Sequence, residues 1–258
     1  MTTERVLVTG AARGIGAAVA RRLAADGAAV VALDRCTDDP ALDYDLGTRD
    51  QLEEVAASCG ETSVAVVADV GDRRSLASAL GSQDPFDAVV CAAGVVWGGH
   101  PVWETPTQVW ESLVAANVTG VLNTAALTLP AMLARPAPRT GRFVAVASAA
   151  GIRGLPAMGG YSAAKHAVVG LVRSMAADLG DSGITANAVA PGSVDTDILS
   201  ASASVYDLVS PEEFARHHVS GRLLHADEIA EAVTWLCSSA ASGVTGVVLP
   251  VDAGMTAT

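Results

Sequence analysis

The segment that most restricts how this chain can fold lies near its beginning. Arg5 to Thr9 is a short apolar run, Gly10-Ala11-Ala12-Arg13-Gly14-Ile15-Gly16 follows it, and Val19, Ala20 and Leu23 then recur at helical spacing. Strand, glycine turn and helix in that order open a βαβ unit, which calls for a parallel sheet. Gly10 permits the tight turn, Gly14 the close approach of a pyrophosphate, and Gly16 close packing of the helix on the sheet. The helix N-terminus then faces the phosphates. The spacing G-x-x-x-G-x-G departs from the dinucleotide fingerprint G-x-G-x-x-G, so the turn alone is weak evidence of nucleotide binding.

A second strand, Ala28 to Leu33, ends in Asp34. An acidic side chain about 20 residues beyond the glycines binds both hydroxyls of an adenosine ribose and repels a 2′-phosphate, which favours NAD over NADP. Arg35 and Arg13 are two cations where a 2′-phosphate would sit, and they weigh against that preference. The polar stretch from Cys36 to Asp45 is longer than an ordinary strand-to-helix link, so its length is either decorative or functional.

The alternation continues. Gln51 to Cys59 reads as a helix and Ser63 to Ala68 as a strand, closed by Asp69 and Val70 where an adenine edge is met; Asp72 caps a helix carrying Leu76, Ala79 and Leu80. Phe86 to Val90 is a buried strand ending in Cys91-Ala92-Ala93-Gly94, whose small residues let backbone lie against a ligand. Thr107 to Leu133 reads as one long helix with Asn117 in its middle and a bend expected at Pro130. The Asn117 amide has three available uses: satisfying a carbonyl, holding a water, or facing solvent.

Arg142 to Ala147 is a strand with Ser148 at its C-terminal end, and a helix runs from Tyr161 to about Leu179. Ile184 to Ala190 is the sixth strand, Asp227 caps the last helix, and Gly246 to Val251 is the seventh strand. The segment from Asp197 to Leu224 lacks strong periodicity and is expected to be a mobile lid, with His217 and His218 a solvated pair. The expected architecture is a single-domain Rossmann-type doubly wound seven-stranded parallel sheet with helices on both faces, spanning residues 1–258, with a substrate lid near 195–224.

Charge and cysteine usage exclude several classes. A net charge of −12 repels nucleic acid phosphates and anionic lipid, so neither is an expected partner. Cys36, Cys59, Cys91 and Cys237 are scattered with no zinc spacing, which predicts reduced thiols and no metal. No signal peptide and no membrane span are read from the sequence, and a cytoplasmic protein is expected.

Chemistry concentrates at Tyr161 and Lys165, four residues apart and so one helical turn from each other. Unit charges roughly 5 Å apart interact by about 3 kcal/mol at an effective dielectric of ~20, which predicts a phenol made more acidic. The glycine-rich loop from Gly151 to Gly160 can fold Ser148 back toward the tyrosine. An apolar substrate pocket is expected from Trp97, Trp103, Ile152, Leu155 and Met158, beside Ser148 and Tyr161.

Thr9-Gly10-x-x-x-Gly14-Ile15-Gly16, Asn117, Ser148, Tyr161-x-x-x-Lys165 and Pro191-Gly192-x-Val194-x-Thr196 stand in the order and spacing of the short-chain dehydrogenase/reductase family, which the chain resembles over its whole length. The resemblance implies that Tyr161 is the general acid/base and that Lys165 lowers its pKa and binds the nicotinamide ribose. It implies that Ser148 polarises the substrate oxygen, Asn117 holds a relay water, and Thr196 fixes the carboxamide. An alcohol or ketone substrate and a homotetramer are further implications. Cys91 departs from the family's amide at that position, and Ala253 stands where a second glycine is frequent.

The insert after Arg35, with Trp103-Glu104-Thr105, Leu133-Ala134-Arg135-Pro136 and Phe143 to Gly151, resembles the mycofactocin-coupled actinobacterial subgroup. That likeness implies an insert that covers NAD and an external redox partner that recycles it in place. The alternatives are a 3-oxoacyl thioester reductase using NADPH, disfavoured by Asp34 and the acidic charge, and a non-catalytic dinucleotide sensor.

Overall fold

Seven strands, β1 (Arg5–Thr9), β2 (Ala29–Asp34), β3 (Val64–Val67), β4 (Ala88–Cys91), β5 (Arg142–Val146), β6 (Thr185–Pro191) and β7 (Val248–Val251), pair in parallel in the order β3-β2-β1-β4-β5-β6-β7. This computed structural model describes residues 4–81, 84–206 and 208–257. Residues 1–3, 82–83, 207 and 258 lie outside the described residues, including the start of the N-terminal stretch and one position of the expected lid.

The period of two along each strand sends alternate side chains to opposite faces. Val6, Val8, Val30, Ala32, Val90 and Val144 meet helices α1 (Gly14–Ala25), α2 (Arg49–Ser58) and α8 (Ala226–Cys237). Leu7, Val31, Leu33, Val89, Phe143 and Ala145 meet α3 (Arg73–Leu80), α5 (Gly120–Leu133) and α6 (Gly159–Leu179). Both faces are covered, as a parallel sheet requires. The order reverses between β1 and β4, the switch point where such sheets open a crevice.

One expectation about helices changes. The stretch from Thr107 to Leu133 is interrupted at Asn117: α4 (Thr107–Val114) passes into α5, which contains Pro130, through a π-helical turn, Ala115–Thr119. Asn117 Nδ2 donates to the Leu113 carbonyl at 3.0 Å, taking a helical acceptor with a side chain, and such insertions widen a helix locally. By length and composition alone Thr107–Leu133 is also apolar enough to cross a membrane, a test that a core helix passes as well. In this fold Val121, Ala125 and Met132 pack on the sheet, with Asn117, Asn123, Thr124 and Thr128 buried alongside.

The segment expected to be an irregular lid is ordered around its own small core. Helix α7 (Asp197–Val205) and a 3-10 helix, Pro211–His217, pack through Leu199, Ala203 and Phe214 with Tyr206, Leu208 and Leu223. These contacts cross a turn, so no single period reveals them. Its two roots are paired: Val194 bridges Leu224, and the Asp195 N–H donates to the Leu224 carbonyl at 2.9 Å. His218 is buried, not solvated. Its Nε2 accepts from the Ser193 N–H at 3.1 Å while Nδ1 meets the Arg222 carbonyl at 2.5 Å, bracing the turn after β6.

Candidate active site

The switch-point crevice is a cavity of about 480 Å³ running from Asp34 past the glycine turn to Ser148, Tyr161 and the α7 segment. Gly10, Arg13, Gly14, Ile15, Gly16, Asp34, Arg35, Asp69, Val70, Ala92, Ala93, Gly94, Val194 and Thr196 all line it. Gly10 has φ +68°, and a Cβ there would lie 2.5 Å from Ala93 N, so β1 meets the end of β4 through backbone alone. Thr9 Oγ1 accepts from the Ala93 N–H at 3.3 Å, tying these strands together. Cys91, in place of the family's amide, is fully buried with its thiol pKa pushed up to about 12 by burial.

Asp34 is aimed by two backbone donors, Ala12 N–H at 3.1 Å and Cys36 N–H at 3.4 Å. Arg35 reaches Asp39 at 3.4 Å and Asp69 at 3.9 Å. Its charge is therefore engaged by carboxylates. This cradle fits an adenosine diol better than a 2′-phosphate.

The insert after Arg35 folds onto the crevice. Leu46 is buried with Val95, Val109 and Leu113, and the Tyr44 hydroxyl accepts from the Val96 N–H at 2.9 Å. Leu46 and Gly47 form part of the cavity wall. Burial pushes the Tyr44 phenol up to about 12. Arg13 donates to the Asp45 carbonyl at 2.6 Å and pairs with Asp197 at 3.0 Å, so one side chain holds the insert and the start of α7 together.

At the far end the Ser148 and Tyr161 hydroxyls are hydrogen-bonded. Ser148 also accepts from the Ala150 N–H at 3.1 Å, starting a 3-10 turn, Ala149–Gly151. A Cβ at Gly151 would lie 2.8 Å from the Lys165 carbonyl, so this turn rests directly on α6 and sets Ser148 against Tyr161. Lys165 is 5% exposed, its Nζ donates to the Val146 carbonyl at 2.9 Å and lies 5.7 Å from the Tyr161 ring centroid.

The expected acidification of Tyr161 is absent in the protein alone. Burial raises its pKa, only partly opposed by the Ser148 hydrogen bond, and burial lowers Lys165 to about 8. Desolvation of both groups outweighs their mutual effect.

Asn117 is 1% exposed; its Nδ2 also donates to the Val95 carbonyl at 2.9 Å, and its Oδ1 has no partner. A Cβ built on Gly94 would fall 2.6 Å from Asn117 Oδ1 and 3.3 Å from Lys165 Nζ. The two polar ends flank one small gap. A buried acceptor with no partner beside an ammonium is a place for a water.

Of the residues expected to shape a substrate pocket, Leu155 and Met158 line the cavity with Ser148 and Tyr161. Trp97, Trp103 and Ile152 do not. Trp97 packs behind Tyr161 and stacks on His100 at 5.6 Å, Trp103 is 81% exposed, and Ile152 points outward from its turn. The wall is completed by Arg153 and by Tyr206, Phe214, Arg216 and His217 of the segment expected to be a lid. Tyr206 donates to the Pro156 carbonyl at 2.6 Å, tying the far end of α7 across the opening.

Among the described residues, no group of three or more His, Cys, Asp or Glu side chains is arranged to hold a metal ion.

A family model described as Enoyl-(Acyl carrier protein) reductase matches residues 10–256. The chain is 38% identical to cis-4-hydroxycyclohexanecarboxylate dehydrogenase of Sinomonas cyclohexanicum, covering 98% of this chain and 97% of that protein. It is 34% identical to (-)-trans-carveol dehydrogenase of Rhodococcus erythropolis, over 97% and 96% respectively. The crystal structure of carveol dehydrogenase from Mycobacterium avium in complex with NAD superposes with a TM-score of 0.92 at 33% identity, covering 99% of this chain and 98% of that one. Glycine turn, Ser148, Tyr161 and Lys165 stand on a sheet of matching topology, and the chain belongs to the short-chain dehydrogenase/reductase family of oxidoreductases.

Proposed function

We propose that this oxidoreductase interconverts a secondary alcohol and a ketone, with NAD as its dinucleotide. The observation that carries the reading is the hydrogen-bonded pair Ser148 and Tyr161, with Lys165 one turn on, at the opposite end of one cavity from Asp34. Asp34 would hold the adenosine ribose, the glycine turn the pyrophosphate, and Lys165 the second ribose, with Val194 and Thr196 beside the nicotinamide. When bound, NAD supplies the hydride acceptor.

The protein's own residues handle the proton. Ser148 and Tyr161 orient the substrate oxygen between their hydroxyls, and Tyr161 takes its proton on oxidation or returns it on reduction. Positive charge near the phenol lowers its pKa, so Lys165 and the oxidised dinucleotide offset the burial that raises Tyr161 in the protein alone. The gap between Asn117 Oδ1 and Lys165 Nζ gives that proton a route away from Tyr161.

The relatives named for cyclic alcohols support a ring-bearing substrate in an apolar chamber. The closed insert supports the mycofactocin-coupled reading, in which residues 36–48 shield bound NAD and an external partner recycles it in place. A cytoplasmic homotetramer belongs to the same proposal, supported by Trp110, Leu122 and Leu133 exposed along α4 and α5.

The test is a panel of secondary alcohols with purified protein, following nicotinamide reduction with and without an artificial electron acceptor. Oxidation of none of them under either condition overturns the reading. Rapid loss of NAD on dialysis overturns the retained-cofactor part alone.

A further inference from the structure

The insert reaches the proton-handling residues through one peptide group. Just past β4, the Val96 N–H donates to the Tyr44 hydroxyl at 2.9 Å, while the Val95 carbonyl accepts from Asn117 Nδ2, also at 2.9 Å. That N–H and that carbonyl belong to the same peptide unit, which is planar, so neither can turn without the other. Tyr44 in the insert and Asn117 in the π-helical turn therefore hold opposite edges of one rigid plate. An N–H engaged as a donor also polarises the unit and makes its carbonyl a better acceptor.

Packing repeats the connection. The second acceptor of Asn117 Nδ2 is the Leu113 carbonyl at 3.0 Å, and Val95 and Leu113 are both buried in the cluster that Leu46 joins from the insert. Ala41, Leu42 and Tyr44 pack on this cluster from the insert, and Tyr161 packs on it from α6. Both carbonyls that aim the Asn117 amide thus belong to residues on which the insert is seated. Their hold on Nδ2 is what turns Oδ1 toward the gap it shares with Lys165 Nζ. Charged and titratable groups around the Tyr44 phenol include Tyr161 on α6, Arg13 in the glycine turn and Asp43 beside it; burial pushes the phenol up to about 12, so it stays a neutral hydroxyl through mildly alkaline solution.

We infer that Tyr44 is a positioning residue for Asn117, through which the closed insert holds the proton route from Tyr161 in place. It acts through the Val95 to Val96 peptide and not on the substrate oxygen. When the insert opens, that peptide loses one of its two fastenings, so proton removal runs at full rate only over a covered dinucleotide. The route itself rests on the alcohol reading; the hold on Asn117 rests on geometry.

Tyr44→Phe deletes one oxygen and keeps the ring in its cluster. Hydrogen exchange at the Asn117 side-chain amide is followed by NMR in NAD-saturated, asparagine-labelled protein, the signal being assigned by its loss in Asn117→Ala. Exchange is expected to quicken by on the order of tenfold in Tyr44→Phe. With the alcohol of the panel that is oxidised fastest, kcat is expected to fall by about fivefold or more with KM within about twofold, and the rise of kcat with pH to move to higher pH. Asn117→Ala is expected to displace the profile in the same sense, and Tyr44→Phe to add little in that background, because the two residues act as a unit. Unchanged exchange at Asn117, an undisplaced pH profile, or losses that simply multiply in the double variant overturn the inference. Lower thermal stability with the profile intact is the mark of a merely structural contact and overturns it as well. Faster exchange with none of the alcohols oxidised overturns the alcohol reading and leaves the hold of Tyr44 on Asn117 standing.

Discussion

Arg13 and Asp197 form an ion pair at 3.0 Å across the cavity mouth, although one lies in the glycine turn and the other begins α7. The same guanidinium donates to the Asp45 carbonyl at 2.6 Å, so the cover over the adenosine side and the cover over the substrate side share one fastening. Arg13→Ala is expected to speed release of reduced dinucleotide roughly fivefold, and Asp197→Asn less, since the second leaves the Asp45 contact intact. Stopped-flow fluorescence of bound NADH measures both; unchanged release in Arg13→Ala contradicts the shared fastening.

Tyr161→Phe removes the hydroxyl that pairs with Ser148 and leaves the ring packed against Leu113, Val95 and Trp97. Turnover is expected to fall by about a hundredfold to ten-thousandfold with dinucleotide affinity nearly unchanged. Steady-state kinetics beside a binding titration checks both halves of that statement. Near-normal turnover in this variant removes Tyr161 from the chemistry.

Lys165 is held at about 8 against an ordinary 10.5, while the unfolded chain keeps its proton to the higher value. Between these values the unfolded state binds more protons, so this group makes stability rise with pH; below about 8 both states are charged and the burial cost is complete. Tyr161, raised above 10, acts in the opposite sense in strongly alkaline solution. Lys165→Met is therefore expected to stabilise the ligand-free protein at pH 7 by on the order of 1–3 kcal/mol, an advantage that shrinks toward pH 10, while abolishing turnover. Urea unfolding at two pH values decides it, and equal or lower stability at pH 7 contradicts the burial argument.

Gly94→Ala places a methyl group 2.6 Å from Asn117 Oδ1 and 3.3 Å from Lys165 Nζ. The backbone on one side and two buried polar groups on the other leave it nowhere to go. Destabilisation of roughly 1–3 kcal/mol is expected, with a loss of turnover larger than the loss of dinucleotide binding. A variant with ordinary thermal stability and ordinary kcat would show the gap to be unimportant.

Asp34→Ser removes the carboxylate that Ala12 and Cys36 aim into the cavity. A loss of roughly tenfold to a hundredfold in kcat/KM with NAD is expected, and a gain with NADP limited by the hold of Asp39 and Asp69 on Arg35. Parallel kinetics with the two dinucleotides reads the ratio directly.

Much of the architecture was legible because strands and helices announce themselves by local period. Leu7 and Val31 against Val6 and Val30 alternate between the two cores as a two-residue repeat demands. Ser148 at the end of β5 and Tyr161 with Lys165 on one helix face are equally local facts. The π-helical turn at Asn117 was not legible, because it depends on an amide finding the Leu113 and Val95 carbonyls at once. Trp97 and Trp103 misled for a related reason: an aromatic loop past a strand end is a fair ligand contact, but the loop turned one ring behind Tyr161 and the other to solvent.

The sequence by itself determined the seven-stranded alternation, the glycine turn, the acidic end of β2 and the spacing of Tyr161 and Lys165, since each depends on residues adjacent in the chain or one helical turn apart. Only the tertiary structure decided how polar, aperiodic segments close over the cavity: Tyr44 onto Val96, Arg13 onto Asp197, Tyr206 onto Pro156, and His218 into the turn after β6. It also decided the sign of the Tyr161 shift, because desolvation is set by everything packed around a group, whereas helical spacing fixes only its nearest neighbour.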